Sequence, residues 1–369
     1  MNFNIVGLFI ILSMPWKSYC QSGESYLRMV YVVTNTGQHT PVPEYYNEFT
    51  KLKSSIANTE NKHELTQRGK EQMYILGARV RRLYSEFLKN VKSNEVNVTS
   101  MDNPGSQASA HLFKAGLLEK PRSTSLGMDL NGESAKENIT IDKNLENSLK
   151  KFYIDDSCKN SFKNKIKDIP AVKSKFANLK TQIEANVGSI SEDNVWKIYD
   201  IFESLYRTSQ SIPSWLTADI ILDCKEFLNS YMEHQFKSVD QKKHSAGVYI
   251  QEMVNLLDKS HRSYSEPKLR LFAADEMSFA AIVAALGGSK NYNICGQTKS
   301  LGWPKSGSAV IAELLTEVKT GDEYFKLFYW EPDNEKPEKL HINGCKSCMW
   351  YQYQSDTSNI RKTDTVCKA

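Results

Sequence analysis

The chain has 369 residues, of which 47 are basic and 43 are acidic, so its formal net charge is +4. Hydrophobic residues make up 40% and charged residues 24%, proportions that exclude a disordered chain, a collagen and a coiled coil. No run of lysine and arginine stands out, and so small a net charge argues against a nucleic acid as the partner.

The first twenty residues have the pattern of a secretory signal peptide. Residues 5–12 form a short apolar run, and the small residues Ser18 and Cys20 precede Gln21, where cleavage would fall. A membrane-spanning helix needs about 20 apolar residues, so this run is too short to cross a bilayer. No later run is long enough for a membrane anchor. The sequence therefore predicts a secreted, extracellular protein.

The cysteines agree with export. Removal of the signal peptide would leave six of them, an even number that favours disulfide bonds in an oxidising compartment. Cys345 and Cys348 lie in a glycine-containing loop without a second pair of metal ligands, which favours a structural crosslink over a zinc or redox site. Two sequons, at Asn97 and Asn138, predict N-glycosylation.

The first part of the mature chain alternates strands and helices. Residues 28–34 form a β-rich run and predict a strand followed by a loop. Apolar residues at spacings of three and four predict a helix over 67–88, with Thr66 able to cap its start. A short strand over 95–100 leads into a loop at 101–106 and then into a second helix.

The middle of the chain changes character. Residues 145–240 are rich in lysine, helical in period and poor in glycine, and they predict a mainly helical cap inserted into the fold. A strand at 268–274, an apolar helix that ends before Gly287 and a hairpin over 309–330 follow. Strands that alternate with helices predict an α/β fold, with a layered mixed β-sheet core flanked by helices.

The functional site is expected at the ends of the predicted strands. With a core formed by 21–144 and 241–369, ligands should bind beyond the carboxyl ends of the sheet strands. Three strand-to-loop junctions, at 34–41, 100–106 and 274–276, meet that description. No internal repeat and no phosphate loop of the GxxxxGK type is visible.

Several ordered motifs accompany these junctions. They are, in chain order, Gly37, Thr40 and Pro41; Glu64-Leu65-Thr66 with Gly69, Gln72 and Leu76-Gly77; Arg81-Arg82-Leu83-Tyr84; 100–110 with Gly116-Leu117; 212–215; and 271–287. In this order and spacing they resemble the histidine acid phosphatases, especially the secreted insect and venom type, over nearly the whole mature chain. The resemblance implies the disulfides Cys158–Cys367, Cys224–Cys295 and Cys345–Cys348.

The resemblance also assigns a position in this chain to each catalytic residue of the family. Thr36 stands where the family has its nucleophilic histidine, and Glu276 stands where it has the acid that protonates the leaving oxygen. Gly105 is aligned to within one residue. The four positions whose arginines and histidine clamp the phosphoryl oxygens in the family hold Asn35, His39, Gly105 and Asp275.

These substitutions reverse the charge of the implied pocket. Phosphoryl transfer depends on positioning and on positive charge around the phosphoryl oxygens. Here one histidine would face two acids, Asp275 and Glu276, which repel a phosphate dianion. A threonine is also a poor nucleophile unless a base, such as His39 beside Thr36, activates it. No catalytic residue is therefore predicted to be intact.

Each of these residues can also be explained by a role in local structure, without any catalytic or binding function. Asn35 and Thr36 are of types common in turns. Asp275 precedes a helix and is a good N-cap residue. His39 is expected to be a solvated loop histidine because no metal-spaced partner accompanies it. Asp102 is expected to hold its loop.

Two of the functions compatible with the sequence concern phosphatase chemistry. The favoured one is a secreted pseudophosphatase, a binding or effector protein whose ligand is an unidentified small molecule or protein. The second is an acid phosphatase with a relocated nucleophile, for which His63 and His111 are the nearest histidines in the sequence.

A third function is a pocket that takes a metal cation or an amine. Asp275, Glu276 and Asp102 would supply oxygen atoms, with His39 nearby. Under the favoured hypothesis the sequence predicts no cofactor and no bound metal. It leaves a homodimer open.

Overall fold

The computed structural model describes residues 24–55, 63–118, 139–154, 166, 168–208, 212–262, 267–287, 292–294, 302–342 and 348–361. The predicted signal peptide lies outside this part of the chain. The same holds for Asn138, Cys158, Cys295, Cys345 and Cys367.

Eight strands in the described ranges form one mixed sheet. They are β1 (Ser25–Asn35), β2 (Val96–Ser100), β3 (Ile139–Ile141), β4 (Leu269–Ala274), β5 (Tyr292–Ile294), β6 (Ala309–Glu317), β7 (Glu323–Trp330) and β8 (Glu338–Ile342). Their order across the sheet is β3, β2, β4, β1, β6, β7, β8, β5. The pairs from β3 to β1 are parallel, and the pairs from β1 through β6 to β5 are antiparallel.

The central strand β1 is buried on both faces. Met29, Tyr31 and Val33 belong to one hydrophobic core, whereas Val30 and Val32 belong to another. Successive side chains of a strand point to opposite faces, so this alternation places one core on each side of the sheet. Because neither face meets water, the strand appears in the sequence as an almost continuous apolar run.

Helices cover both faces of the sheet. Those with described bounds are α1 (Pro43–Glu48), α2 (Thr50–Ser55), α3 (Gln67–Leu83), α4 (Pro104–Leu118), α5 (Lys143–Ile154), α6 (Pro170–Val187), α7 (Val195–Arg207), α8 (Ala218–Gln235), α9 (Val239–Arg262), α10 (Glu276–Leu286) and α11 (Trp350–Thr357). Helices α3 and α4 pack against the core of Val30 and Val32, and α5 to α11 contribute to the other core. The predicted α/β fold with a mixed sheet is therefore confirmed. None of the helices in the described ranges has the length and apolar character needed to cross a membrane.

Helix α3 begins where the sequence predicts but ends earlier. The Thr66 hydroxyl accepts a hydrogen bond from the backbone N–H of Gly69 at 3.0 Å, which confirms the predicted cap. The helix ends at Leu83 rather than at Leu88. Tyr84 leaves the helical conformation, and its hydroxyl donates to Glu313 of β6 at 2.7 Å. Leu88 nevertheless remains buried in the core, which explains why the apolar pattern continues past the end of the helix.

The predicted helical cap contains three long helices in the part of it that the structure describes. Helices α6, α7 and α8 lie within 145–240. Their apolar side chains belong to the same continuous core as the sheet residues Tyr31 and Phe272. The exact residues at which a separate cap begins and ends stay a prediction.

Cys224 departs from the predicted disulfide pattern. It lies in α8, is fully buried and carries a free thiol, so the structure does not support the predicted Cys224–Cys295 bond. The side chain packs among apolar residues of the core, where a free cysteine behaves as a small hydrophobic residue. Burial raises the pKa of this thiol and keeps it protonated. Cys348 is disulfide-bonded, and its pairing with Cys345 stays a prediction.

The sequon at Asn97 lies in an unexpected place. Asn97 is a half-buried residue of β2, opposite Arg270 of β4. Glycan acceptors usually lie in surface loops, so the interior of a strand is an unfavourable position for one. Glycosylation at Asn97 stays a prediction.

Candidate functional site

The three predicted junctions meet at one edge of the sheet. Strands β2, β4 and β1 are parallel neighbours, so their carboxyl ends lie side by side. β1 leads to Thr36, β2 leads to α4 with Gly105 near its start, and β4 leads to Asp275 before α10. The fold thus places the residues that the sequence assigns to the site around one small region.

Thr36 is part of the packed interior. Its side chain is fully buried, and its hydroxyl lies 3.0 Å from the carbonyl oxygen of Ala274 and 3.2 Å from the Ser106 hydroxyl. The donor bond to Ala274 links the end of β1 to the end of β4. A hydroxyl held in this way is not directed at a substrate, so Thr36 has a structural role here.

Asn35 is equally enclosed. Its side-chain amide donates to the carbonyl oxygen of Lys305 at 3.0 Å, and its backbone N–H donates to Ser308 at 2.8 Å. The next loop residue, Gly37, donates its backbone N–H to the Ser109 hydroxyl at 3.1 Å. These bonds fix the loop after β1 against its neighbours, with a neutral amide at a position where the resemblance implies a clamping arginine.

His39 is at the centre of a buried cluster of charged groups. Its Nε2 atom lies 3.0 Å from Glu276 Oε1 and 3.5 Å from Asp200 Oδ1, and its Nδ1 atom lies 2.9 Å from the carbonyl oxygen of Thr40. Only 3% of the residue is exposed, so the expectation of a solvated loop histidine is wrong. The reason is that helices α7 and α10 cover the loop, with the Ser204 hydroxyl of α7 donating to the His39 carbonyl at 2.6 Å.

The electrostatics of this cluster follow from burial and from its two acids. Burial alone would lower the pKa of His39, but the negative charges of Asp200 and Glu276 outweigh it and raise the pKa to about 10. Burial raises the pKa of Asp200, although His39 opposes that shift. Burial would likewise raise the pKa of Glu276, but the contact with His39 holds it below its usual value. His39 is therefore the positive partner of Glu276 rather than a free base for Thr36.

Asp275 and Asp102 act on the backbone and on neighbouring side chains. The Asp275 carboxylate accepts from the backbone N–H of Ser278 at 2.8 Å, which confirms the predicted N-cap of α10. Asp102 accepts from the Gln107 amide at 3.1 Å and pairs with Lys143 at 3.3 Å. The predicted oxygen set of Asp275, Glu276 and Asp102 is therefore not the cluster around His39. The carboxylate that joins Glu276 there is Asp200.

His63 occupies the space beside Gly105. A Cβ atom added at Gly105 would lie 2.7 Å from His63 Nε2 and 2.9 Å from Thr36 Cγ2. The rings of His63 and His39 meet edge to face with centroids 4.7 Å apart. The position where the resemblance implies a third arginine thus has no room for a side chain. His63 fills part of that space, whereas His111 lies on α4.

Asp200 was missed by sequence reasoning, and His63 was noted only for its distance along the chain. Asp200 lies between the apolar residues Tyr199 and Ile201 of α7, far from every recognised junction, and no sequence signal marks it. His63 directly precedes Glu64-Leu65, which the resemblance places next to the pocket. That adjacency is the one signal that could have identified it.

The arrangement of these elements defines a class of protein, an α/β fold with a mixed sheet whose candidate site lies at the carboxyl ends of parallel strands. The model of the histidine phosphatase superfamily (branch 2) matches residues 32–330, which is most of the chain. The chain belongs to this superfamily, as its ordered motifs predict.

The relatives are distant but span most of the chain. The acid phosphatase-like protein XcAP-1 of Xenopsylla cheopis is 22% identical over 84% of this chain and 86% of that protein. The lysosomal acid phosphatase of Xenopus laevis is 23% identical over 96% of this chain and 81% of that protein. The prostatic acid phosphatase of Homo sapiens is 23% identical, with coverages of 87% and 82%.

A solved structure agrees on the fold. The apo form of Hafnia alvei phytase aligns with a TM-score of 0.64, covering 93% of this chain and 98% of that chain at 13% identity. At so low an identity the likeness supports the shared fold and does not carry a substrate across.

Proposed function

We propose that this chain is a secreted, catalytically inactive member of the histidine phosphatase superfamily that acts as a binding or effector protein. The observation that carries the proposal is the state of Thr36, the residue at the nucleophile position. Its hydroxyl is fully buried and bonded to Ala274 and Ser106. It is neither exposed to a phosphate ester nor bonded to a base.

The charges around Thr36 support the same proposal. Catalysis of phosphoryl transfer requires cations around the equatorial oxygens, and removing one such donor from an active site already lowers the rate by about 10²–10³-fold. Here the clamp positions hold a buried amide, a histidine paired with two acids, a glycine and an N-cap aspartate. The histidine at these positions, His39, is already neutralised by Glu276 and Asp200.

A hydrolysis assay tests the proposal. The purified chain should not hydrolyse p-nitrophenyl phosphate at mildly acidic pH above the level of a Glu276→Gln variant purified in parallel. Equal rates in both proteins indicate a contaminating phosphatase. Turnover by the natural chain that disappears in the variant, with the fold retained by circular dichroism, would overturn the proposal.

An acid phosphatase with an atypical active site is the second candidate. The observation in its favour is the location of His63, whose ring contacts His39 and lies beside Gly105 at the implied clamp position. In this alternative His63 attacks phosphorus, the leaving oxygen departs with the proton shared by the His39–Glu276 pair, and water then releases phosphate from the histidine. Rapid quenching with labelled substrate followed by peptide mapping would detect phosphohistidine at His63 and would decide for this candidate.

A pocket for an organic amine is the third candidate. Three carboxyl groups, Asp200, Asp275 and Glu276, lie close enough to Tyr45 for their negative charge to add to burial in raising the pKa of its phenol well above the usual value. An aromatic ring beside carboxylates suits a protonated amine. Calorimetric titration with biogenic amines tests this candidate, and flat traces would remove it.

A further inference from the structure

The cluster around His39 brings together three metal-ligating side chains from separate elements. His39 comes from the loop after β1, Asp200 from α7 and Glu276 from the first turn of α10. One ligand atom from each lies within 4.8 Å of the ligand atoms of the other two. From this arrangement we propose that His39, Asp200 and Glu276 form a binding site for one divalent transition-metal ion, with Zn²⁺ as the best-fitting ion. This proposal goes beyond the inactivity proposed above and does not depend on it.

The distances suit such an ion. With metal–ligand bonds of about 2.1 Å, neighbouring ligand atoms lie about 3.0 Å apart in octahedral coordination and about 3.4 Å apart in tetrahedral coordination. The His39 Nε2 atom is 3.0 Å from Glu276 Oε1 and 3.5 Å from Asp200 Oδ1. Two edges of a coordination polyhedron are therefore already close to their required lengths, and the ligand oxygens of the two carboxylates lie within 4.8 Å of each other.

The second nitrogen of His39 supplies an independent argument. Its Nδ1 atom lies 2.9 Å from the Thr40 carbonyl oxygen, which can only accept a hydrogen bond. Nδ1 therefore carries a proton, so a metal ion that displaces the Nε2 proton would leave the ring neutral with its lone pair on Nε2, the atom that faces the two carboxylates. A ligating histidine almost always donates its other N–H to a carbonyl or carboxylate in this way, which orients the ring.

Asp200 offers further ligand capacity. Its Oδ2 atom is buried and has no hydrogen bond of good geometry among the described residues, although the backbone N–H of Val42 is near enough to lower the pKa of the carboxyl, and its Oδ1 atom faces His39. A buried carboxylate oxygen without a well-aligned donor is costly, and a bound cation would satisfy it. A divalent ion also balances the two carboxylate charges and leaves the imidazole neutral, which is its usual metal-binding form.

The set of donors selects the kind of metal. One imidazole nitrogen with two carboxylates suits Zn²⁺ and its neighbours among the divalent transition metals, whereas Ca²⁺ takes six to eight oxygen ligands. Asp200 and Glu276 expose 11% and 9% of their side chains, so the cluster lies just below the surface and an ion can reach it.

Calorimetric titration of the untagged, chelator-treated chain with Zn²⁺ tests the site. We expect one ion per chain and at least a tenfold loss of affinity in Asp200→Asn and in Glu276→Gln, both nearly isosteric changes. The matched control is Glu331→Gln, which removes a half-buried carboxylate paired with Lys305 and should leave the affinity unchanged. Natural protein that binds Zn²⁺ no more tightly than both site variants would overturn the proposal.

A measurement on the natural chain covers the case in which the variants do not fold. X-ray absorption at the zinc edge should show only nitrogen and oxygen neighbours with the scattering of a single imidazole. Sulfur neighbours or several imidazoles would place the ion elsewhere and overturn the site. Hydrolysis of p-nitrophenyl phosphate by the zinc-loaded chain would contradict the proposed inactivity and leave the metal site standing, so the two proposals fail separately.

Discussion

At the scale of single residues, the positions that the resemblance assigns to catalysis are occupied by packing and charge-pairing side chains. Asn35 and Thr36 are fully buried and hydrogen-bonded to neighbouring backbone, and His39 is paired with Glu276 and Asp200. An active site keeps such groups available to its substrate. Here they contribute to the stability of the sheet edge, and this change makes specific variants informative.

The His39–Glu276 pair should matter for stability in the metal-free protein. We expect Glu276→Gln to lower the free energy of unfolding by about 3 kcal/mol, because removing one partner of a buried ion pair leaves the other charge uncompensated. The remaining charge of Asp200 keeps the loss at the lower end of the range. Urea unfolding measures it.

The more exposed ion pair of Glu331 and Lys305 gives the control for this comparison. Glu331→Gln, which breaks the more exposed pair with Lys305, should cost at most about 1 kcal/mol. Equal losses in the two variants would mean that the His39 cluster is no more important than a surface ion pair.

The contact between Gly105 and His63 predicts a coupled pair of variants. Gly105→Ala places a methyl group 2.7 Å from His63 Nε2, so it should destabilise the protein by about 1–3 kcal/mol through overpacking. His63→Ala removes the obstructing ring, and the double variant should recover part of the loss. A double-mutant cycle in urea should therefore give a coupling energy of about 1 kcal/mol, and strictly additive effects would contradict the close packing.

At the scale of elements, α3 and α4 approach closely through two glycines. A Cβ atom at Gly77 would lie 2.0 Å from the carbonyl oxygen of Phe113, and one at Gly116 would lie 2.0 Å from that of Tyr74. Backbone atoms cannot move aside as a side chain can, so the helices would have to separate. Gly77 and Gly116 both belong to the motifs that resemble the family. Their identity is therefore explained by helix packing rather than by chemistry.

This close approach makes a prediction about α3. Gly77→Ala should lower the free energy of unfolding by about 3 kcal/mol despite the better helix propensity of alanine, because overpacking dominates. The neighbouring exposed residue supplies the reference, since Ala78→Gly should cost about 1 kcal/mol from propensity alone. Thermal or urea unfolding would measure both, and a stabilised Gly77→Ala protein would contradict the packing described for these helices.

The same elements show what the sequence could predict. The cap at Thr66, the N-cap at Asp275 and the strands β1 and β4 were predictable because each depends on local patterns of polar and apolar residues. The end of α3 was not predictable, since Leu88 stays buried after the helix has ended. The prediction that His39 is a solvated loop histidine was wrong because Asp200 contacts it from α7. Such a tertiary contact cannot be recognised from the spacing of residues.

At the scale of the whole molecule, the fold followed from ordered motifs, while the site depended on which distant segments fold against each other. The three strand junctions could be identified from their sequence because parallel strands end at one edge of the sheet. The closing of the pocket by α7, α10 and His63 required the complete structure. The net charge of +4 does not indicate that two carboxylates are clustered near the sheet edge.

Restoring the family's residues therefore needs more than the aligned positions. Asn35→Arg, Thr36→His, His39→Arg, Gly105→Arg, Asp275→His and Glu276→Asp together should not give turnover of p-nitrophenyl phosphate, because His63 obstructs an arginine side chain at position 105. Addition of His63→Ala to this set should give measurable hydrolysis. Equal activity of both combinations would show that His63 is not an obstacle.

The hydrogen bonds of Thr36 have a consequence for the history of this chain. In an enzyme, replacing a strained catalytic residue often raises stability, so such a change is readily accepted. Here the hydroxyl of Thr36 joins the ends of β1 and β4 and touches α4, so its replacement loses stability. Substitution of Thr36 alone is therefore expected to be opposed by its cost in stability, whatever its effect on chemistry.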